Sequence, residues 1–228
     1  MPVEQIYIAR GTRLEDVAPE VAQLSSQAGV GVESVSRRWL DEHSERGAHQ
    51  GLMASSAPFA FTPLESILAS AGDKTSSLLV ALDHITDAGN LGAIARSAEV
   101  AGADGLITAK RRSAPIGAGA YKTSAGALAW LPVAQEPNLV RAIETCKKSG
   151  YWVVGASEHA KSAIWDQSLE GKLLIVLGSE ETGVSRLVAE ACDFTASLPV
   201  VGHVGSLNVA QTAAVFIYEW VRRTRAQP

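Results

Sequence analysis

Cysteine is nearly missing from this 228-residue chain: Cys146 and Cys192 are the only two. They stand too far apart for a CxxC metal or redox pair and are too few for a disulfide framework, so no metal is expected and the composition points to a reducing cytosol. No apolar run approaches the roughly 18 residues of a membrane span. Met1-Pro2-Val3-Glu4 lacks the basic-then-apolar layout of a signal peptide. An excess of positive charge is missing as well. Twenty Lys and Arg against 24 Asp and Glu leave a net charge of −4, which argues against wholesale attraction to nucleic acid or an anionic membrane and leaves only a local patch for such a role. Internal repeats and low-complexity tracts are also absent. What the chain does have is apolar mass. With 46% hydrophobic and 19% charged residues it can bury the core of one large or two small domains of a soluble, cytoplasmic protein.

Charge divides the chain unevenly. Residues 1–70 hold five basic residues (Arg10, Arg13, Arg37, Arg38, Arg46) and nine acidic ones, and the remainder is neutral. That first third reads as a small α/β unit: a strand at Ile6-Tyr7-Ile8-Ala9, a helix over residues 14–28 with Leu14, Val17, Val21 and Leu24 as its apolar positions, and a strand at 30–35. Residues 55–76 are rich in Ala, Ser and Pro and read as a linker between a domain at 1–54 and a second at 77–228. In the second, apolar strands at 78–82, 105–108, 152–155, 173–177 and 194–198 alternate with helices at 91–101, 139–149 and 206–223. Such alternation predicts a parallel α/β sheet.

Polar, glycine-bearing loops follow three of these strands, where open α/β sheets place their sites. The first runs Asp83-His84-Ile85-Thr86-Asp87-Ala88-Gly89-Asn90, with Arg96 further along. Asn90 reads as a helix N-cap, Arg96 by position alone as a solvated or salt-bridged surface arginine, and His84 as a loop histidine rather than a ligand. The second, Gly178-Ser179-Glu180-Glu181-Thr182-Gly183, reads either as a ligand-binding turn or as a plain strand-to-helix turn whose acids sit at a helix N-terminus. The third is residues 198–210, with Leu198, Ser206, Leu207 and Asn208, and Ser206 would pass as an N-cap. Gly117-Ala118-Gly119 follows no strand, which makes a dinucleotide fingerprint weak, and Ser206 sits in no GxSxG elbow, which makes serine hydrolysis improbable. Lys110, Arg111 and Arg112, with Lys122 beyond, lie on the same rim as the first cluster and suit phosphate contacts, although a solvated loop is the ordinary reading.

Taken together, Asn90-Leu91-Gly92-Ala93 through Arg96, Gly178-Ser179-Glu180 with Gly183, and Leu198-Pro199 followed by Ser206-Leu207-Asn208-Val209 resemble the three ordered motifs of the SpoU family of RNA 2′-O-ribose methyltransferases. The resemblance covers residues 78–225 and is closest to the branch that methylates guanosine in 23S ribosomal RNA. Arg10-Gly11, Leu40-Asp41 and His49-Gln50-Gly51 are similar to that branch's RNA-binding domain of L30e type, here N-terminally shortened by one strand and helix.

The resemblance implies a trefoil-knotted α/β-knot (SPOUT-type) methyltransferase domain that holds S-adenosylmethionine and works as a homodimer. By position, Gly178, Leu198 and Leu207 would line the cofactor site. Asn90, Arg96, Glu180, Ser206 and Asn208 would surround the ribose hydroxyl, with Lys110, Arg111, Arg112 and Lys122 on RNA. Two departures stand out: Glu181 where the family commonly has glycine, and Ala210 where it commonly has serine. A transfer-RNA ribose methyltransferase and a non-catalytic RNA-binding or ribosome-assembly factor are the alternative readings.

Overall fold

The computed structural model describes residues 3–44 and 49–225; Arg46, counted above among the basic residues, lies outside them. The chain divides into two compact units, Met1–Ala60 and Phe61–Pro228. In the first, β1 (Val3–Ala9) is the middle of three strands among the described residues, parallel to β2 (Gly31–Val35) and antiparallel to β3 (Leu52–Ser56). Ile6 and Ile8 pack on Leu14 on one side of the sheet, while Ala9 and Val35 pack on Leu40 on the other.

The helix expected over residues 14–28 is two helices, α1 (Leu14–Val17) and α2 (Pro19–Ala28). Ala18 leaves helical geometry because proline follows it and has no N–H to donate a continuing backbone bond. That break takes Val17 out of phase with Val21 and Leu24. All three are exposed, at 51%, 37% and 63%, and the buried contacts come instead from Ala18 and Ala22. α3 (Arg37–His43) starts where the Ser36 hydroxyl accepts the Trp39 N–H.

In the second unit the described residues form a six-stranded parallel sheet in the order β6-β5-β4-β8-β7-β9. The strands are β4 (Ser77–Leu82), β5 (Gly105–Ala109), β6 (Val133–Glu136), β7 (Trp152–Ala156), β8 (Lys172–Leu177) and β9 (Phe194–Ala196). Every residue of β4 is buried, as expected of a strand covered on both faces. Leu79 and Ala81 face α4 (Leu64–Ala71), α7 (Leu139–Lys148) and α8 (Arg186–Ala191). Alternation sends Leu78, Val80 and Leu82 to the opposite face, where α5 (Ala88–Val100), α6 (Ala118–Ser124) and α9 (Val209–Arg225) bury Leu91, Ile94, Ala120, Phe216 and Ile217.

Residues 55–76 are therefore no free connector. They hold the end of β3 and the whole of α4, whose Leu64, Ile67, Leu68 and Ala71 recur at helical spacing and enter the core of the second unit. Pro63 bars a helix only upstream of itself; it precedes the first turn, where its missing N–H costs nothing.

Two close approaches fix the layer that carries the site. α5 and α6 cross at Gly92, where a Cβ would collide with Thr123 Oγ1 and the Ala120 carbonyl oxygen and lie 2.9 Å from the Ser124 amide nitrogen. α9 is tied to the β7–β8 connection: Trp220 Nε1 donates to the Gly171 carbonyl at 3.0 Å and Arg223 Nη2 to the Trp165 carbonyl at 2.5 Å. Past β9 the chain runs beside the same connection, with Ser197 N–H bonded to the Ser162 carbonyl and Ile164 N–H to the Ser197 carbonyl. Hydrogen bonds from Arg222 hold the buried Glu219 carboxylate below its ordinary range, against desolvation and with help from Arg223.

Gly92→Ala is expected to cost about 1–3 kcal/mol, because two of the three obstructing atoms belong to backbone; urea unfolding checks it. Glu219 binds fewer protons folded than unfolded, so its contribution is complete above the unfolded carboxylate value of about 4.3 and is lost as pH falls through the lower folded value. Glu219→Gln should therefore flatten the acid side of the stability profile measured by thermal unfolding.

Candidate active site

The crevice outside the carboxyl ends of β4 and β8 is where strand order reverses, since β5 and β6 extend from one side of this pair and β7 and β9 from the other. Six parallel partners, from Ser77↔Lys172 to Leu82↔Leu177, bring both strands to the same height. At the top, Asp83 is buried, with 3% of its surface exposed. Its N–H bonds to the Leu177 carbonyl and its Oδ2 accepts the Ser185 N–H at 2.7 Å, so one carboxylate ties the first polar loop to the second.

Asn90 does not cap α5. Asp87 does, by accepting the Asn90 N–H at 2.7 Å. Placed in the first turn rather than before it, Asn90 keeps its side chain for other partners: Nδ2 donates to Glu180 Oε1 at 3.0 Å, and Oδ1 accepts from Asn208 Nδ2 at 2.9 Å. Asn208 Nδ2 also donates to Glu180 Oε1 at 2.5 Å. Three side chains far apart in the chain thus close a ring.

Glu180 owes its place to a tight turn. Ser179 and Gly183 exchange backbone hydrogen bonds of 3.1 and 2.9 Å, and the Ser179 hydroxyl accepts the Thr182 N–H. Gly183 has φ +66°. Gly178 packs so closely that a Cβ there would overlap the Gly183 carbonyl group. The glycines of this motif are therefore required by the turn itself. The acids are not helix-terminal as expected, because α8 begins only at Arg186, after Ser185, with no acid in its first turn.

Ser206 does not cap α9 either. Asn208 Oδ1 accepts the Ala210 N–H at 2.8 Å and the Gln211 N–H at 3.4 Å, leaving Nδ2 for the ring. The cap fixes the amide's orientation and hence which atom meets Glu180.

Two cavities meet at this ring. One, of about 440 Å³, is lined by Gly178, Leu198, Ser206 and Leu207 together with Leu177 and Phe216. The other, of about 510 Å³, is lined by Asn90, Glu180, Arg112, His84 and Glu181. Ser179, Glu180, Thr182 and Val209 belong to both, so Glu180 stands in the wall between them. Of the proposed cations Arg112 lines the second of these two cavities; Lys110, Arg111 and Lys122 are exposed and line neither. Arg96 is exposed on α5, lines neither cavity, and has no hydrogen bond or ion pair to a described residue. Asp83, Asp87 and Ser185 were missed in sequence as organisers. An acid at the end of an all-apolar strand is the one signal that marked Asp83.

Residues 77–218 match the model of the SpoU rRNA Methylase family, and residues 1–62 match the model of the RNA 2′-O ribose methyltransferase substrate-binding domain. The chain belongs to the SpoU methylase family. An uncharacterized tRNA/rRNA methyltransferase from Mycolicibacterium smegmatis is 37% identical over 227 residues, which is 99% of this chain and 72% of the relative. The SpoU methyltransferase AviRb from Streptomyces viridochromogenes, solved in complex with AdoMet, superposes with a TM-score of 0.78 at 27% identity, covering 99% of this chain and 84% of the other. An AdoMet-bound rRNA methyltransferase from Sinorhizobium meliloti, 22% identical, shares the fold with a TM-score of 0.77 over 97% of this chain and 80% of its own. The SpoU chain described here is thus an RNA 2′-O-ribose methyltransferase on an α/β scaffold.

Asn208→Asp keeps a good helix cap but sets a second carboxylate against Glu180. It is expected to lower stability by about 1 kcal/mol at neutral pH. The pair would bind a proton more tightly folded than unfolded, so the deficit shrinks as pH falls towards the carboxylate range. Denaturant midpoints at pH 7 and pH 4.5 check this.

Proposed function

We propose that this enzyme uses S-adenosylmethionine to methylate the ribose 2′-hydroxyl of a guanosine in 23S ribosomal RNA, and that it does so as a homodimer. The observation that carries the reading is Glu180, held by Asn90 and Asn208 in one ring and standing in the wall between two cavities, one suited to a cofactor and one to a nucleotide. The first cavity fits S-adenosylmethionine on its own features. Leu177, Leu198, Leu207 and Phe216 offer apolar surface for an adenine ring, and Gly202 and Gly205 line the cavity with nothing within 4 Å of where a Cβ would stand. Its volume lies in the ordinary range for such ligands. Gly178, Leu198 and Leu207 would hold the cofactor, and the AviRb complex with AdoMet supports that assignment. When bound, the cofactor supplies a sulfonium methyl as the electrophile.

The rest is the work of this chain's residues. A ribose hydroxyl is a weak nucleophile and must be held in line. Asn90, Glu180 and Asn208, already bonded to one another, present amide donors and a carboxylate acceptor in one fixed cluster, and Ser206 stands on the cofactor side. Arg112 faces the nucleotide cavity, and Lys110, Arg111 and Lys122 would meet phosphates beyond it as positioning contacts. The planar guanidinium of Arg96 would grip a phosphate and stabilise negative charge developing on the ribose oxygen. Its exposed position outside both cavities of its own chain supports delivery to the site of the second protomer. A trefoil-knotted path belongs to this reading too, supported by the way residue 197 and α9 are bound to the β7–β8 connection.

The front domain's match to a substrate-binding model favours ribosomal RNA. The mycobacterial relatives are named uncharacterized tRNA/rRNA methyltransferases, which keeps transfer RNA as a second reading. Labelled methyl transfer to 23S fragments and to total transfer RNA decides between them. Binding of the cofactor, measured by calorimetry, with no transfer to any RNA would favour an assembly factor.

Arg96→Ala and Asn208→Ala should each reduce kcat by about 10²–10³-fold as homodimers. If Arg96 crosses to the second protomer, mixing the two variants restores about a quarter of parental activity, since half the dimers are mixed and each carries one intact site. No recovery on mixing would place Arg96 in its own chain's site.

A further inference from the structure

Asp87, Glu180 and Glu181 are the acids that line the nucleotide cavity among the described residues, and two of them already have work. Asp87 caps α5 through Oδ1. Glu180 is bonded to Asn90 and Asn208 through Oε1 alone and keeps its other oxygen for the reacting hydroxyl, in the wall it shares with the cofactor cavity. Glu181 differs from both. It lines the nucleotide cavity and not the other, and it has no hydrogen bond or ion pair to a described residue. The backbone does not ask for it. The closed turn from Ser179 to Gly183 places its need for glycine at Gly178 and Gly183, and Glu181 has no positive φ, so what a glutamate adds at this position is its side chain alone.

Arg112 lines the same cavity with the opposite charge. Its backbone is strained, with φ +56°, a region that non-glycine residues occupy when surrounding structure forces it. The next two residues supply the force: the Ser113 hydroxyl bonds the hydroxyl of buried Thr108, and the Ala114 N–H donates to the Ile85 carbonyl at 2.8 Å. Arg112 has no hydrogen bond or ion pair to a described residue either. A cation and a carboxylate thus line one cavity without meeting, and each is left for a different part of a ligand.

A nucleotide offers phosphate, ribose hydroxyl and base edge. The phosphate suits Arg112 and is repelled by Glu181, and the reacting hydroxyl belongs at the ring of Asn90, Glu180 and Asn208. What remains for Glu181 is the N–H groups of the base. A carboxylate accepts two neighbouring N–H donors at once, and guanine alone presents two side by side, N1–H and N2–H, on its Watson–Crick edge. Adenine and cytosine each set a donor beside an acceptor nitrogen, and uracil sets its single N–H between two carbonyl oxygens, so each would bring a lone pair against the carboxylate. We infer that Glu181 selects guanosine as the target nucleotide by accepting N1–H and N2–H of its base; the inference rests on the methyltransferase reading above. Glu181 meets the base and not the reacting atoms, which makes it a specificity-determining residue.

The test uses the full-length chain and an RNA fragment whose methylated position has been mapped, prepared with guanosine, inosine or adenosine at that position. Inosine keeps N1–H and lacks only the 2-amino group, so the parent should lose about 10–100-fold in kcat/KM on the inosine fragment, as expected when a hydrogen bond to a charged group goes unmade. Glu181→Ala should lose a similar factor on guanosine and then treat guanosine and inosine alike within about threefold, because the acceptor that told them apart is gone. Glu181→Gln turns an amide N–H towards one of the two guanine donors and should raise the ratio of adenosine to guanosine transfer by about tenfold or more. Both variants should bind S-adenosylmethionine within about threefold of the parent by calorimetry, since this side chain does not line the cofactor cavity. A parent that methylates guanosine and inosine equally well overturns the inference alone, as does a Glu181→Ala variant that still prefers guanosine by the parental factor. A parent whose mapped target is not guanosine, or that methylates no RNA, overturns the reading beneath it, and the inference with it.

Discussion

Parallel pairing of β4 with β8 is the constraint on which the rest depends. The two strands are 90 or more residues apart in sequence at every paired position, and their adjacency creates the point where strand order reverses. Because both point the same way, both discharge their loops at one rim. The buried carboxylate of Asp83 then makes the junction specific by bonding the loop after β8 from the end of β4. An uncompensated charge there would be costly, so the loop has little freedom to drift.

From that junction the site follows by short local rules. Asp87 caps α5 and Asn208 caps α9, and in each case the cap decides where an amide side chain points. A closed turn of five residues sets Glu180 between them, and two glycines make the turn sterically possible. The ring needs no unusual chemistry. It needs three ordinary elements to end at the same height, which a packed parallel sheet enforces because its strands are buried on both faces and cannot slip without exposing apolar surface. The strained His84 and Arg112 sit where that rigid frame gives way to loops, the place where a scaffold can hold such conformations.

Much of this architecture could be read in the linear chain. The apolar runs at residues 78–82 and 173–177 announced buried strands, and the loops after them held the residues that meet in space. Elements with weak or interrupted patterns were harder to read. α4 hid behind Pro58 and Pro63 in a stretch rich in small residues, and β6, at Val133–Glu136, has only four residues with a proline just before it. In the first unit Pro19 split a pattern that looked continuous, so an apparent apolar face proved exposed.

By itself the sequence determined the parallel α/β class of the larger unit, the three motif loops and the membership in the SpoU family, because strand and helix periodicities and motif order are properties of neighbours along the chain. Only the tertiary structure decided that Asn90, Glu180 and Asn208 share one hydrogen-bonded ring while Arg96 stands apart from it. It also decided that Asp87 and Asn208, not Asn90 and Ser206, cap their helices, and that His84 rests against a buried carboxylate at the edge of a cavity. Those facts depend on which strands lie side by side and how loops pack across them. Strand order is fixed by the packing of the whole core, and no local stretch of residues encodes it.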